Sequence, residues 1–245
     1  MQEPVVWTSL IFLCKRVWAA LVTGLFISFV APVFAEQAPV RHAFFGDTHV
    51  HTMYSYDAFI VNTRSTPDDA YRYAKGEAID HINGEKLRLS GPPLDFLMVS
   101  EHAKYLGVFA SQLDLDSPTY GHPAADKLIP KGVKTFYNMP KYLNALALEE
   151  PELLGSKMTQ YAWRKVIEAA EHHNDPGKFT AFIGYEYTPM PGGRHLHRNV
   201  MFRGSKVPNK PFSALDSENP EDLWNWLDSL RTAGIEAMAI PHNMN

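Results

Sequence analysis

The chain has 245 residues, of which 45% are apolar and 20% charged, and a formal net charge of −4. That is an ordinary globular composition with enough chain for one large domain. Mild acidity without a run of Lys or Arg argues against a general nucleic-acid binder and leaves a small phosphorylated substrate open.

Residues 1–35 read as a signal peptide and 36–245 as the mature domain. Lys15 and Arg16 precede an apolar run from Val17 to Val30, and Val33 and Ala35 stand where a signal peptidase reads. Cleavage is expected after Ala35. An uncleaved anchor is the alternative, but the run is shorter than the ~20 residues that a span prefers. Either outcome carries the rest of the chain across a membrane, so a periplasmic or secreted protein is expected, with no stable membrane association once the signal is removed. The only cysteine, Cys14, lies in that segment. The mature chain therefore has no disulfide and no thiolate, and any transition-metal site must be built from His, Asp and Glu.

Strands alternating with helices follow. The apolar Ala43-Phe44-Phe45 feeds a first strand that leads into Gly46-Asp47-Thr48-His49-Val50-His51-Thr52. Thr66-Pro67-Asp68-Asp69 supplies an N-cap, a Pro at the first helical position and an acidic first turn, predicting a helix to about Gly76. Asn83-Gly84 and Gly91-Pro92-Pro93 punctuate a polar excursion. Leu94 to Val99 reads as a buried strand ending on Ser100-Glu101-His102, and Gly121 to Leu154 as short capping helices. A helix is predicted from Ser156 to His172, with Met158, Ala162, Val166 and Ala169 as its buried stripe. Phe179 to Gly184 is a strand running into Tyr185-Glu186-Tyr187, and His197 to Phe202 another. Pro220 opens a helix that turns Leu223, Trp226, Leu227 and Leu230 to the core. Ile235 to Ile240 is the last strand, meeting Pro241-His242-Asn243.

Four apolar strands thus end in acids or histidines: Asp47, His49 and His51; Glu101 and His102; Glu186; and His242. Side chains at the carboxyl ends of barrel strands converge on one face, which predicts a metal site there. Two histidines at i and i+2 in extended backbone share one side and can chelate one ion, with Asp57 in reach as a further ligand. Glu101 is open as a ligand or as the partner that orients its neighbour. His197 begins an apolar strand and is preferred to the loop residue His195. His42, His81, His122, His172 and His173 lack such context and read as solvated.

Asp47 to Thr52 with Ser55 and Asp57 resembles the first motif of the PHP (polymerase and histidinol phosphatase) superfamily. Ser100-Glu101-His102 resembles its second, usually Thr-Asp-His, and Gly184-Tyr185-Glu186 its Gly-x-Glu element. More narrowly, Gly46 to Ala58, Thr66 to Tyr71, Leu94 to Gly107, Leu196 to Val200 and Ala239 to Asn243 resemble a secreted bacterial family catalogued as domain of unknown function 3604. The resemblance implies a PHP-like distorted (β/α)7 barrel holding two or three divalent transition-metal ions (Zn, Mn or Fe) and hydrolysing phosphoesters. The implied metal ligands are His49, His51, Asp57, Glu101, His102, Glu186, His197 and His242, with Glu186, His102 and Arg198 in catalysis. In that picture His49, His51 and Glu186 hold one ion, and Glu186 bridges to a second held by His102 and His197; Arg198 or Arg194 binds a substrate oxygen. The superfamily's late Asp-x-His does not follow His242, so the barrel is expected to be incomplete at its carboxyl end, with a longer reading frame or a partner chain supplying the rest. A hydrolase of a non-phosphate ester or carbon–nitrogen bond and a non-catalytic metal-binding module are the alternatives.

Overall fold

The computed structural model describes residues 41–123 and 155–243. The chain falls into two units, Met1–Ala43 and Phe44–Asn245. Of the first, only residues 41–43 are described, and they carry no helix or strand. The predicted signal segment and nearly all of the predicted capping helices lie outside the described residues.

In the second unit the described strands are β1 (Gly46–Val50), β2 (Ile79–Asp80), β3 (Lys86–Leu87), β4 (Phe96–Val99), β5 (Thr180–Tyr187), β6 (Arg198–Phe202) and β7 (Ala237–Pro241). The described helices are α1 (Tyr56–Ile60), α2 (Pro67–Ala74), α3 (Ser156–His173) and α4 (Pro220–Thr232). α2 starts where the capping signal predicted. Thr66 Oγ1 accepts the Asp69 N–H and the Asp69 carboxylate accepts the Thr66 N–H, so two otherwise unpaired donors are satisfied reciprocally. α3 buries Met158, Ala162, Val166 and Ala169 as expected, together with Trp163 and Ala170. These pack on Leu97, Val99, Ala181, Ile183 and Tyr185, one face of the central sheet. The period of two then turns Phe182, Gly184 and Glu186 to the opposite face.

Five strands form that sheet in the order β1-β4-β5-β6-β7, and β2 with β3 makes a separate hairpin in what the sequence offered only as a polar excursion. β1-β4 and β4-β5 pair in parallel, whereas β5-β6 and β6-β7 are antiparallel. The architecture is mixed α/β, as expected, and the sheet is not a closed barrel among the described residues. Three expectations change. Phe44 and Phe45 lie outside the first strand and are 70% and 69% exposed, because the strand is the Gly46–Val50 motif itself. Glu186 lies inside β5, which runs on to Tyr187. His173 is buried, 5% exposed, rather than solvated.

The sheet is strongly curled. Neighbouring strands lie about 4.8 Å apart, so in a flat sheet the two edges β1 and β7 would be separated by roughly 19 Å at four spacings. Yet the rings of His49 on β1 and His242 after β7 have centroids 4.0 Å apart. Asn199 on β6 likewise donates its Nδ2–H to the Thr48 carbonyl of β1 at 2.8 Å, across two intervening strands. The carboxyl end of β1 is thereby drawn against the end of β7. The other end stays open around a cavity of about 760 Å³ lined by Phe44, Thr48, Phe96, Phe182 and Met201 among others.

The curl needs a close approach at Gly184. A Cβ there would meet Met98 Sδ at 2.1 Å and the Val200 carbonyl oxygen at 2.7 Å. The methionine is flexible; the Val200 backbone belongs to the paired strand and is not. Gly184→Ala is expected to destabilise the chain by about 1–3 kcal/mol through overpacking. Thermal unfolding checks this, and an unchanged midpoint would show that the strands relax freely.

Candidate metal centre

Glu186 is 1% exposed on the inner face of β5. A buried carboxylate must be paired or bound to a cation, and five imidazoles meet this one. Its Oε1 lies 2.8 Å from His197 Nδ1 and 3.3 Å from His242 Nε2. Its Oε2 lies 2.8 Å from His51 Nε2 and 3.3 Å from both His49 Nε2 and His102 Nδ1. Strand direction explains the convergence. β1, β4, β5 and β7 bring their carboxyl ends to one rim, and the antiparallel β6 brings its start, so His197 joins them from the amino end of a strand.

Asp57, in the first turn of α1, sits at the outer side of the cluster. Its Oδ2 is 3.2 Å from His102 Nε2 and its Oδ1 3.4 Å from His51 Nδ1. At this rim, two three-residue groups have ligand atoms within 4.8 Å of one another and could hold a metal ion: His49, Glu186 and His242; and His51, His102 and Glu186. Both contain Glu186. The i, i+2 spacing does place His49 and His51 over the same carboxylate, with ring centroids 5.0 Å apart. The curl then sorts them into different groups, His49 with His242 and His51 with His102.

Glu101 is fully buried and takes bracing contacts. It accepts the Thr52 N–H at 3.1 Å and the Thr52 and Ser55 hydroxyls, while Ser55 Oγ accepts the His102 N–H at 3.0 Å. It thus ties the loop after His51 to the end of β4 and joins neither three-residue group. Arg198 turns its Nε–H and Nη2–H onto the Leu196 carbonyl, at 3.2 and 3.0 Å, and so holds the turn that presents His197. Asp47 accepts the His49 N–H through its carboxylate at 2.8 Å. His195 has its ring centroid 5.1 Å from that of His197 and is in neither group.

Three contributors escaped the sequence reading. Thr188 Oγ1 lies 2.5 Å from His102 Nδ1, and the Tyr56 ring stacks on His102 at 4.8 Å. Asn199 is the register partner of Glu186 and is buried with its Oδ1 unpaired. Period-two spacing was the available signal, since Thr188 follows Glu186, and Asn199 follows His197, by two residues.

The electrostatics follow from crowding imidazoles around two carboxylates. Burial alone would raise the pKa of Glu186; the imidazoles of His197, His49 and His51 that face it outweigh burial and hold Glu186 far below the usual carboxylate range. Asp57 is depressed in the same way by His102 and His51. Burial lowers His51, but Asp57 and Glu186 together overcome that and push it up to about 10. His242 goes the other way: burial and the neighbouring His49 charge lower it, and Glu186 only partly compensates. The asymmetry has a simple cause, since His51 faces two carboxylates and His242 one that is already shared. Glu101 is raised by burial despite the Ser55 and Thr52 hydrogen bonds.

The donor set fits divalent transition-metal ions. His51 Nε2 and His197 Nε2 are buried without a hydrogen bond, although His51 Nε2 is only 2.8 Å from Glu186. The nitrogen and the carboxylate are close without the angle of a hydrogen bond, as ligands gathered around one cation are. Neutral imidazole and carboxylate are ligands suited to Zn, Mn and Fe.

Comparison with curated proteins and with solved structures returned no match. The family described as Protein of unknown function (DUF3604) matches residues 38–245, and the chain belongs to that family.

Proposed function

We propose that this chain is an exported metal-dependent hydrolase acting on a phosphoester, and that Glu186 would serve both ligand groups of a two-ion site. The observation that carries the reading is one buried carboxylate shared by two histidine-containing ligand groups. The curl that brings β1 against β7 supports a relation to the distorted (β/α)7 barrel of the PHP superfamily. Bound ions would supply Lewis acidity, which acidifies a water and offsets charge on the phosphoryl oxygens. The chain's own contribution is to hold the ligands. Glu186 ties the groups together, Asp57 orients His51 and His102, Thr188 fixes the His102 ring, and Glu101 braces the His51 loop. Export is supported by the sequence of residues 1–35.

A hydrolase of a non-phosphate ester or carbon–nitrogen bond is the second reading, favoured by Arg198. The fork that the sequence offered for a phosphoryl oxygen is engaged by the Leu196 carbonyl. The test is elemental analysis of the purified protein alongside panels of phosphoesters, carboxylic esters and amides, with and without chelator. Chelator-sensitive phosphoester turnover that disappears together with metal in His49→Ala and His51→Ala is expected. Turnover on carbon-centred substrates alone would transfer the reading to the second class. Bound metal without any turnover would make the site non-catalytic.

A further inference from the structure

The ends of α2 and α3 meet away from Glu186. Asp68, in the first turn of α2, places its Oδ1 2.7 Å from Nε2 of His173, the last residue of α3. The His173 ring is fixed by stacking on Tyr71, centroids 5.5 Å apart at 24°. Alone, this is a charge-assisted hydrogen bond. The neighbouring His172 changes it, because its ring lies 4.9 Å from that of His173 and one ligand atom from each of Asp68, His172 and His173 falls within 4.8 Å of the others. Asp68 and His172 also line a cavity of about 350 Å³, together with Glu168, four residues before His172 and hence on the same helical face. The cavity's other charged groups are engaged elsewhere. Asp114 accepts the Tyr161 hydroxyl at 2.7 Å, and Lys165 lies 5.5 Å from the Tyr161 ring centroid.

We infer that Asp68, His172 and His173, with Glu168 beside them, form a second and separate site for one divalent transition-metal ion of the zinc class. The set offers two imidazoles and carboxylate oxygen, the ligands that zinc, nickel and copper take in the absence of thiolate. A tetrahedral ion with ligands near 2.0–2.1 Å holds its donors about 3.3 Å apart. His173 is already locked, and rotation of the exposed His172 and Asp68 side chains closes the remaining distance. The ion would lie between the carboxyl end of α3, whose dipole favours a cation, and the amino end of α2, whose opposing dipole the Asp68 carboxylate offsets. It would clip the start of α2 to the end of α3.

The experiment is a zinc titration of the whole chain, read as stoichiometry by equilibrium dialysis and as the zinc-dependent shift in thermal midpoint. Wild type is compared with His172→Ala and Asp68→Asn. Both residues are exposed, and neither change touches the Thr66–Asp69 capping box. Each variant is expected to bind one ion fewer than wild type, or to bind that ion at least tenfold more weakly. The same loss is expected in a His49→Ala/His51→Ala background, where the Glu186 site is damaged, which separates this site from that one. Equal zinc stoichiometry and equal affinity in wild type and both variants would overturn the inference, whatever the Glu186 site does.

Discussion

Glu186→Gln should strip the metal from the histidine cluster around it while leaving the protein folded. The carboxylate belongs to both three-residue groups, so its loss removes a ligand from each at once. Disturbing a residue that merely orients a ligand typically lowers metal affinity 10–100-fold, so removing the shared ligand should cost more than about 100-fold. The fold should survive, because imidazoles deprived of their counter-charge can shed protons and become neutral. A buried ammonium or guanidinium would lack that escape at neutral pH. Equilibrium dialysis against zinc or manganese, with a thermal melt of the metal-free variant, reads both halves. Undiminished binding in a folded Glu186→Gln protein would remove Glu186 from the centre of the site.

Metal affinity should rise steeply with pH, while the metal-free protein's stability moves the other way. His51 has its folded pKa raised from 6.5 to about 10, so its contribution to stability is full below its unfolded value and is lost as pH climbs through about 10. Asp57 and Glu186 are depressed from 3.8 and 4.5, so their contributions are present above those values and are lost as pH falls below them. All three contributions are therefore full between the ordinary carboxylate range and 6.5. Metal, however, must displace the His51 proton, and one displaced proton gives about tenfold in affinity per pH unit. From about pH 6 to about pH 8 the affinity should increase roughly 100-fold, and the metal-induced shift in midpoint should widen accordingly. His242, whose pKa is lowered, offers a neutral ring and adds little to this slope. A metal-induced shift that is the same across this range would mean that His51 does not bind the ion as a neutral ligand.

Much of the site was legible in the chain because its members are local words. The i, i+2 histidines at the end of β1, the acid and histidine after β4, the Gly-x-Glu within β5 and the histidine after β7 each stand in or directly after a strand. Period two decides which of their side chains share a face. The capping box at Thr66 and Asp69 and the stripe from Met158 to Ala169 were legible for the same reason, being set by neighbours within one or two helical turns.

Strand direction and curvature were not legible. An apolar run reads the same forwards and backwards, so nothing within Arg198–Phe202 announces that β6 is antiparallel to β5. Yet that direction is what delivers His197 to the common rim. The sorting of His49 with His242 rests on the sheet's curl, which depends on Met98 lying where Gly184 has no side chain and on Asn199 reaching the Thr48 carbonyl. Glu101 and His173 carry the same lesson. Each is a charged or titratable residue whose role was set by which hydroxyl, carboxylate or ring happened to face it after folding. Thr52 and Ser55 claimed Glu101, and Asp68 and Tyr71 claimed His173. The sequence by itself determined the ligand types and the strand ends that carry them, because those follow from residue chemistry and local periodicity. Only the tertiary structure decided which candidate ligands stand together, because that depends on distances between strands that are far apart in the chain.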